Sequence, residues 1–125
     1  MKLEQEVEQF LKEKYNMSDF NAYQRVASTT AIYPEEHRIL YPALGLAGEA
    51  GEVANKVKKL IRDGPEGRPD DWREQISSEI GDVLWYCAAL ATDLNLTLGM
   101  IAAQNEKKLS ARHKAGTIGG SGDTR

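Results

Sequence analysis

Apolar residues recur at helical spacing through most of the chain, and in two stretches the polar positions are as ordered as the apolar ones. A helix turns by about 100° per residue, so over Leu40 to Arg62 (LYPALGLAGEAGEVANKVKKLIR) the residues Val53, Val57, Leu60 and Ile61 fill one arc. Glu49, Glu52, Lys56 and Lys59 fall on a stripe beside it. A second stretch repeats the arrangement: Ile76, Ile80, Val83, Cys87, Leu90 and Leu94 make the apolar arc, and Glu79, Asp82, Tyr86 and Asp93 the neighbouring stripe. Packed arc against arc, the two helices bring Glu49, Glu52, Glu79 and Asp82 to one edge.

The remaining elements follow from the same period and from caps. Leu3, Val7, Phe10 and Leu11 predict a short helix over Leu3 to Tyr15. Ser18 or Asp19 caps a helix through FNAYQRVASTTAIY that ends near Pro34, and Gln24 and Thr30 within it are expected to face solvent. Pro42 fits the first turn of the central helix, where a missing N–H costs nothing. DGPEGRPDD is a loop that ends at a cap near Asp70 or Asp71, which makes the two acidic helices a hairpin. The second of them runs from about Trp72 to Leu94, and Thr97 caps a last helix reaching about Lys114. No run of period two is long enough to demand a sheet. The expected fold is all-α, a four- to five-helix bundle with a central antiparallel helical hairpin, completed by oligomerisation, since short helices with small-residue faces leave apolar surface to cover. Residues 1–115 form the single domain; the glycine-rich C-terminal tail 116–125, left to itself, is mobile, or closes over a neighbour's site in an assembly.

Composition narrows the partners. A chain of 125 residues is one ordinary domain. Its formal charge of -3 gives no basic excess for polymeric nucleic acid. Cys87 is the one cysteine, on an apolar arc, so it reads as a small buried hydrophobe in a reducing compartment. No apolar run approaches about 18 residues, and MKLEQEVEQF carries acids where a signal peptide carries bases. The expectation is a cytoplasmic protein with no membrane partner.

The acidic pairs point to chemistry because like charges three apart on a helix repel by a few tenths of a kcal/mol. Glycine inside a helix costs about 0.8–1 kcal/mol relative to alanine, yet Gly45, Gly48 and Gly51 recur every third residue and Gly81 sits on the other helix. Either a backbone or ligand comes close there, or the helix begins after Gly48. Four converging carboxylates need a cation, and with no His or Cys beside them the hard ions Mg²⁺ and Mn²⁺ are the natural candidates, zinc and a di-iron pair being disfavoured. His37 and His113 lie far away in sequence, the latter suited to a helix C-terminus. Asn105, Lys108 and Arg112 share a basic stripe on the last helix. Acids for a divalent ion beside bases for oxyanions suit a nucleotide or polyphosphate.

Glu49-x-x-Glu52, then Glu79-x-x-Asp82, then Asn105-x-x-Lys108-Leu109-x-x-Arg112 resembles the MazG-like all-α nucleoside triphosphate pyrophosphohydrolases. The likeness runs from Tyr23-Gln24 through LGLAGEAGEV and EIGDVLWY to the tail. It implies cleavage of a nucleoside triphosphate between the α and β phosphates, with Mg²⁺ held by Glu49, Glu52, Glu79 and Asp82. Catalysis would fall to Glu49 and Glu52, with Glu49 orienting or deprotonating the attacking water; Lys59, Asn105, Lys108 and Arg112 would hold phosphates. Trp85, Tyr86, Tyr23 and Gln24 are candidates for the base. A homodimer or homotetramer is implied. One departure is that Gly48 precedes Glu49 where the family motif often doubles the Glu, which leaves the number of metals and the identity of the base open. Two other readings stand beside this one: a pool-cleaning enzyme of the same metal chemistry directed at dUTP, dUDP or dCTP, and a non-catalytic helical interaction module.

Overall fold

The computed structural model describes Gln5 and residues 19–125. Apart from Gln5, the helix expected over Leu3 to Tyr15 lies outside the described residues. Those residues are all-helical: α1 spans Phe20–Ser28, α2 Leu40–Gly67, α3 Trp72–Asp93 and α4 Leu98–Ala115, with a 3₁₀ turn at Glu35–His37. No strand is present among them. No single helix among them is long and apolar enough to cross a membrane.

Local signals set most of the boundaries. The Asp19 carboxylate accepts from the Ala22 N–H at 2.9 Å and starts α1. Thr97 does the same for α4 through the Met100 N–H at 3.2 Å. α1 stops at Ser28, well short of Pro34, because three successive hydroxyls turn back on it. Ser28, Thr29 and Thr30 donate to the carbonyls of Arg25, Val26 and Ala27 at 2.7, 2.7 and 2.8 Å, competing with the helical ladder. At the far end of α2, Gly64 adopts φ 69° and ψ 179°, which breaks the helix ahead of Pro65.

α2 and α3 pack as the antiparallel hairpin, α1 lies on α3, and α4 packs on α1 and α3 rather than along α2. α3 and α4 meet at a bend of 103°. Among the described residues the core is small: Ala27, Ala88, Ala91 and Leu98, with Tyr23, Trp85 and Cys87 packed against it. Alanines on α3 let α1 approach closely. Burial pushes the Cys87 thiol pKa up, as befits an inert packing residue.

The apolar arcs of the hairpin are only half used within one chain. Val53, Leu60, Ile76, Val83 and Leu90 are partly covered. Val57, Ile61, Ile80 and Leu94 face outward, against the expectation that the arcs close on each other; Ile61 is 80% exposed. The α2 positions Leu40, Leu44, Ala47, Gly51, Ala54 and Ile61, spaced three, four or seven apart, form one exposed apolar stripe.

Gln24 is the clamp of the bundle. Expected to face solvent, it is 9% exposed. Its Nε2 donates to Thr92 Oγ1 at 3.0 Å and to the Leu96 carbonyl at 2.9 Å, and its Oε1 accepts from the Leu98 N–H at 2.8 Å. One side chain thereby fixes α1 to the turn between α3 and α4.

Candidate functional site

Glu49 on α2 and Glu79 and Asp82 on α3 each offer a carboxylate oxygen within 4.8 Å of the others. The hairpin brings them together because each acidic stripe borders the packed arc of its helix. Glu52 lies on the same stripe as Glu49 but is exposed and outside this group, so three acids converge where four were expected. Burial, then the charges of Asp82 and Glu79, a hydrogen bond to Glu79 and the charge of Glu52 raise the Glu49 pKa above the usual carboxylate range. Among the described residues no Lys or Arg forms an ion pair with Glu49, Glu79 or Asp82. Clustered, unneutralised oxygen donors with neither imidazole nor thiolate suit a hard divalent cation.

Beside the acids is an open pocket of about 330 Å³ lined by Glu49, Asp82, Trp85 and Tyr86. Its aromatic wall is locked. The Trp85 indole N–H donates to Thr30 Oγ1 at 2.8 Å, and the Trp85 and Tyr86 rings meet edge to face at 4.9 Å. The Tyr86 ring lies over Gly45, where a Cβ would stand 2.1 Å from Cε1. Of the glycines singled out in sequence, Gly45 is the one with a close neighbour; a Cβ added at Gly48, Gly51 or Gly81 would meet nothing within 4 Å.

Two tyrosines extend the aromatic wall beyond what the spacing indicated. Tyr41 lies 6.5 Å from Tyr86, and Tyr33 stacks on Tyr41 at 4.7 Å. Asp93, about three turns beyond Asp82 on the same stripe, does not join the acids. Its Oδ2 accepts from the Tyr33 hydroxyl at 2.8 Å and from the Ile39 N–H at 2.9 Å, and Arg38 Nε approaches Oδ1 at 3.5 Å. These bonds hold Ile39 at φ 69° and so fix where α2 begins. Burial raises the Asp93 pKa, but the Ile39, Tyr33 and Arg38 donors outweigh it and leave it lowered. Burial, with the bond to Asp93 and its charge, pushes Tyr33 up to about 12. The stripe spacing flagged Asp93; nothing local flags Tyr33.

The basic candidates sit elsewhere in a single chain. Lys56 and Lys59 line a separate cleft of about 230 Å³ between α2 and α3, together with Arg62 and Trp72. Asn105 is exposed on α4, while Lys108 and Arg112 bind the tail through Asp123 at 3.2 and 3.1 Å. The Gln24 amide is engaged by Thr92, Leu96 and Leu98, as described above.

This is an all-α protein whose helical hairpin carries an acid cluster against an aromatic pocket. The MazG nucleotide pyrophosphohydrolase domain matches residues 39–117, and the chain belongs to that family. The domain spans all three clustered acids and the basic stripe of α4. The chain is also 44% identical over 109 residues to the "Gene 37 protein" of Mycobacterium phage L5, covering 82% of this chain and 96% of the relative. No solved structure matches it. Family membership implies a nucleotide substrate, and the family is metal-dependent.

Proposed function

We propose that the protein is a Mg²⁺-dependent nucleoside triphosphate pyrophosphohydrolase that converts a (d)NTP to the (d)NMP and pyrophosphate, with Mn²⁺ able to replace Mg²⁺. The observation that carries this reading is the convergence of Glu49, Glu79 and Asp82 within 4.8 Å beside a pocket walled by Trp85 and Tyr86. A bound divalent ion would neutralise phosphate charge and make a water more acidic. Glu49, Glu79 and Asp82 would hold it, with Glu52 at the exposed rim. Glu49 orients the attacking water or receives its proton. The water oxygen bonds to the α phosphorus, the bridge to the β phosphate breaks, and pyrophosphate leaves with the electron pair. Trp85 and Tyr86 offer faces for a base. Lys59, Asn105, Lys108 and Arg112 hold the phosphates and the departing pyrophosphate.

Those basic groups and the acid pocket lie apart in one chain, and the exposed stripe Leu40, Leu44, Ala47, Gly51, Ala54 and Ile61 is a surface a second copy would cover. Assembly as a homodimer or homotetramer brings the two halves of the site together. The charge of -3 and the lone Cys87 fit a cytoplasmic enzyme that acts on free nucleotides, not on nucleic acid polymers. The test is to incubate the protein with each ribo- and deoxyribonucleoside triphosphate plus Mg²⁺ and separate the products. Monophosphate and pyrophosphate are expected, with at least a hundredfold loss in Asp82→Asn, on the order of what removing one electrostatic group costs. Diphosphate plus orthophosphate, or no turnover across the panel, would contradict the proposal.

A further inference from the structure

The tail is folded back on α4, and the way it is held gives the basic stripe an occupant. Gly116 adopts φ 71°. Its N–H bonds to the His113 carbonyl at 3.2 Å and the Thr117 N–H to the Arg112 carbonyl at 2.9 Å, a pairing that reverses the chain over the last helical turn. Arg125 closes the loop, its Nε donating to the Thr117 carbonyl at 3.2 Å, its Nη2 to the Ile118 carbonyl at 3.4 Å and its Nη1 to the Gly122 carbonyl. Gly120 admits this closure, since a Cβ there would stand 2.5 Å from Arg125 Cδ. The closed loop presents Asp123 Oδ1 to Lys108 Nζ at 3.2 Å and to Arg112 Nη2 at 3.1 Å.

Two features separate this from an ordinary surface ion pair. The Arg112 side chain is 7% exposed while Asp123 is 82% exposed, so a buried guanidinium faces a wet carboxylate. Arg112 Nε is buried without a hydrogen-bond partner among the described residues, and so is Oγ1 of Thr117, the residue whose N–H bonds to the Arg112 carbonyl. Arg112 Nη2 is shared between Asp123 Oδ1 and the Gly122 carbonyl at 3.3 Å, while Nε stays unmatched. A phosphate group, with three acceptor oxygens and a larger charge, matches the guanidinium fork and its neighbours better.

We propose that Lys108, Arg112 and Thr117 form an oxyanion seat, and that Asp123 is its tethered, exchangeable occupant, which yields the seat to a phosphate group of the substrate. This rests on the reading of Lys108 and Arg112 as phosphate-holding residues. An exposed carboxylate is a weak occupant, so the tail lowers affinity by the fraction of time it is closed, a factor of about three to ten for a pair of this exposure.

The experiment is calorimetric titration of inorganic pyrophosphate, without divalent metal and at fixed ionic strength, into the wild type, Asp123→Asn and Arg125→Ala. Both variants are expected to bind about three- to tenfold more tightly than the wild type, the first by discharging the occupant and the second by opening the loop that presents it. Lys108→Ala should abolish the difference. Equal or weaker binding in Asp123→Asn, or no binding to any of the proteins, overturns the seat. If triphosphates are hydrolysed but Asp123→Asn binds no more tightly, the seat alone fails. If pyrophosphate responds as expected but no triphosphate is cleaved, the catalytic reading fails instead.

Discussion

Gly45→Ala probes the contact on which the aromatic wall of the site depends. The added methyl would lie 2.1, 2.4 and 2.5 Å from Cε1, Cζ and Cδ1 of Tyr86. Carbon atoms pack best at about 3.5–4.0 Å, so the ring must move by more than about 1 Å or α2 must part from α3. Overpacking of this kind costs about 1–3 kcal/mol. Alanine also gains about 0.8–1 kcal/mol over glycine inside a helix, which would mask part of the loss. Gly48→Ala corrects for this gain, because nothing lies within 4 Å of a methyl there. The difference between the two variants isolates the clash at about 1–3 kcal/mol, or roughly 4–12 °C in Tm for a chain of this size. The assay is thermal unfolding at one fixed protein concentration, repeated with Tyr86→Ala in both backgrounds, where the difference should vanish. Because Tyr86 lines the pocket beside Glu49 and Asp82, kcat/KM should fall in Gly45→Ala and hold in Gly48→Ala. If Gly45→Ala melts with Gly48→Ala, the packing of Tyr86 on α2 is wrong.

Asp93→Ala strands the Ile39 N–H and the Tyr33 hydroxyl and should cost about 2–4 kcal/mol in urea unfolding. The Asp93 pKa is lowered on folding, so its contribution is present above the ordinary carboxylate pKa of about 3.9 and is lost as pH falls through the folded value; a gap between variant and wild type that does not shrink in acid would contradict this. Tyr33, raised to about 12, contributes below about pH 10 and loses that contribution as pH rises through about 12, which phenolate absorbance of wild type against Tyr33→Phe reads directly. Gln24→Ala removes three hydrogen bonds and should cost about 2–4 kcal/mol while leaving the ranking of nucleotide substrates unchanged; a changed ranking would give Gln24 a role in base recognition.

What is legible in the sequence is what is local to a helix. The Asp19 and Thr97 caps, the hairpin and the juxtaposition of Glu49 with Glu79 and Asp82 all follow from period and capping chemistry. The end of α1 does not, because Ser28, Thr29 and Thr30 bond backward through side chains, an alternative that hydrophobic spacing does not register. The polar residues whose surroundings differ from expectation are those with distant partners. Gln24 bonds to Leu98, 74 positions on, and Asp93 to Ile39, 54 positions back. Angular position on a helix also does not say how far each acid reaches, so Glu52 shares the stripe of Glu49 without joining the cluster. For the tail, a count of glycines suggests mobility, whereas Arg125 closes it on itself and Asp123 ties it to α4.

The central claim is that Glu49, Glu79 and Asp82 jointly hold a divalent cation. Calorimetric titration of Mn²⁺ into the wild type, Glu79→Gln, Asp82→Asn and Glu36→Gln tests it directly, the last being an exposed acid in the 3₁₀ turn. Strong binding is expected in the wild type and Glu36→Gln at neutral pH, weakening as pH falls and Glu49, raised above the usual carboxylate range by burial and its acidic neighbours, takes up a proton. Binding should fall at least tenfold in Glu79→Gln and Asp82→Asn, since each removes an anionic ligand. Equal affinity in all four proteins would contradict the account.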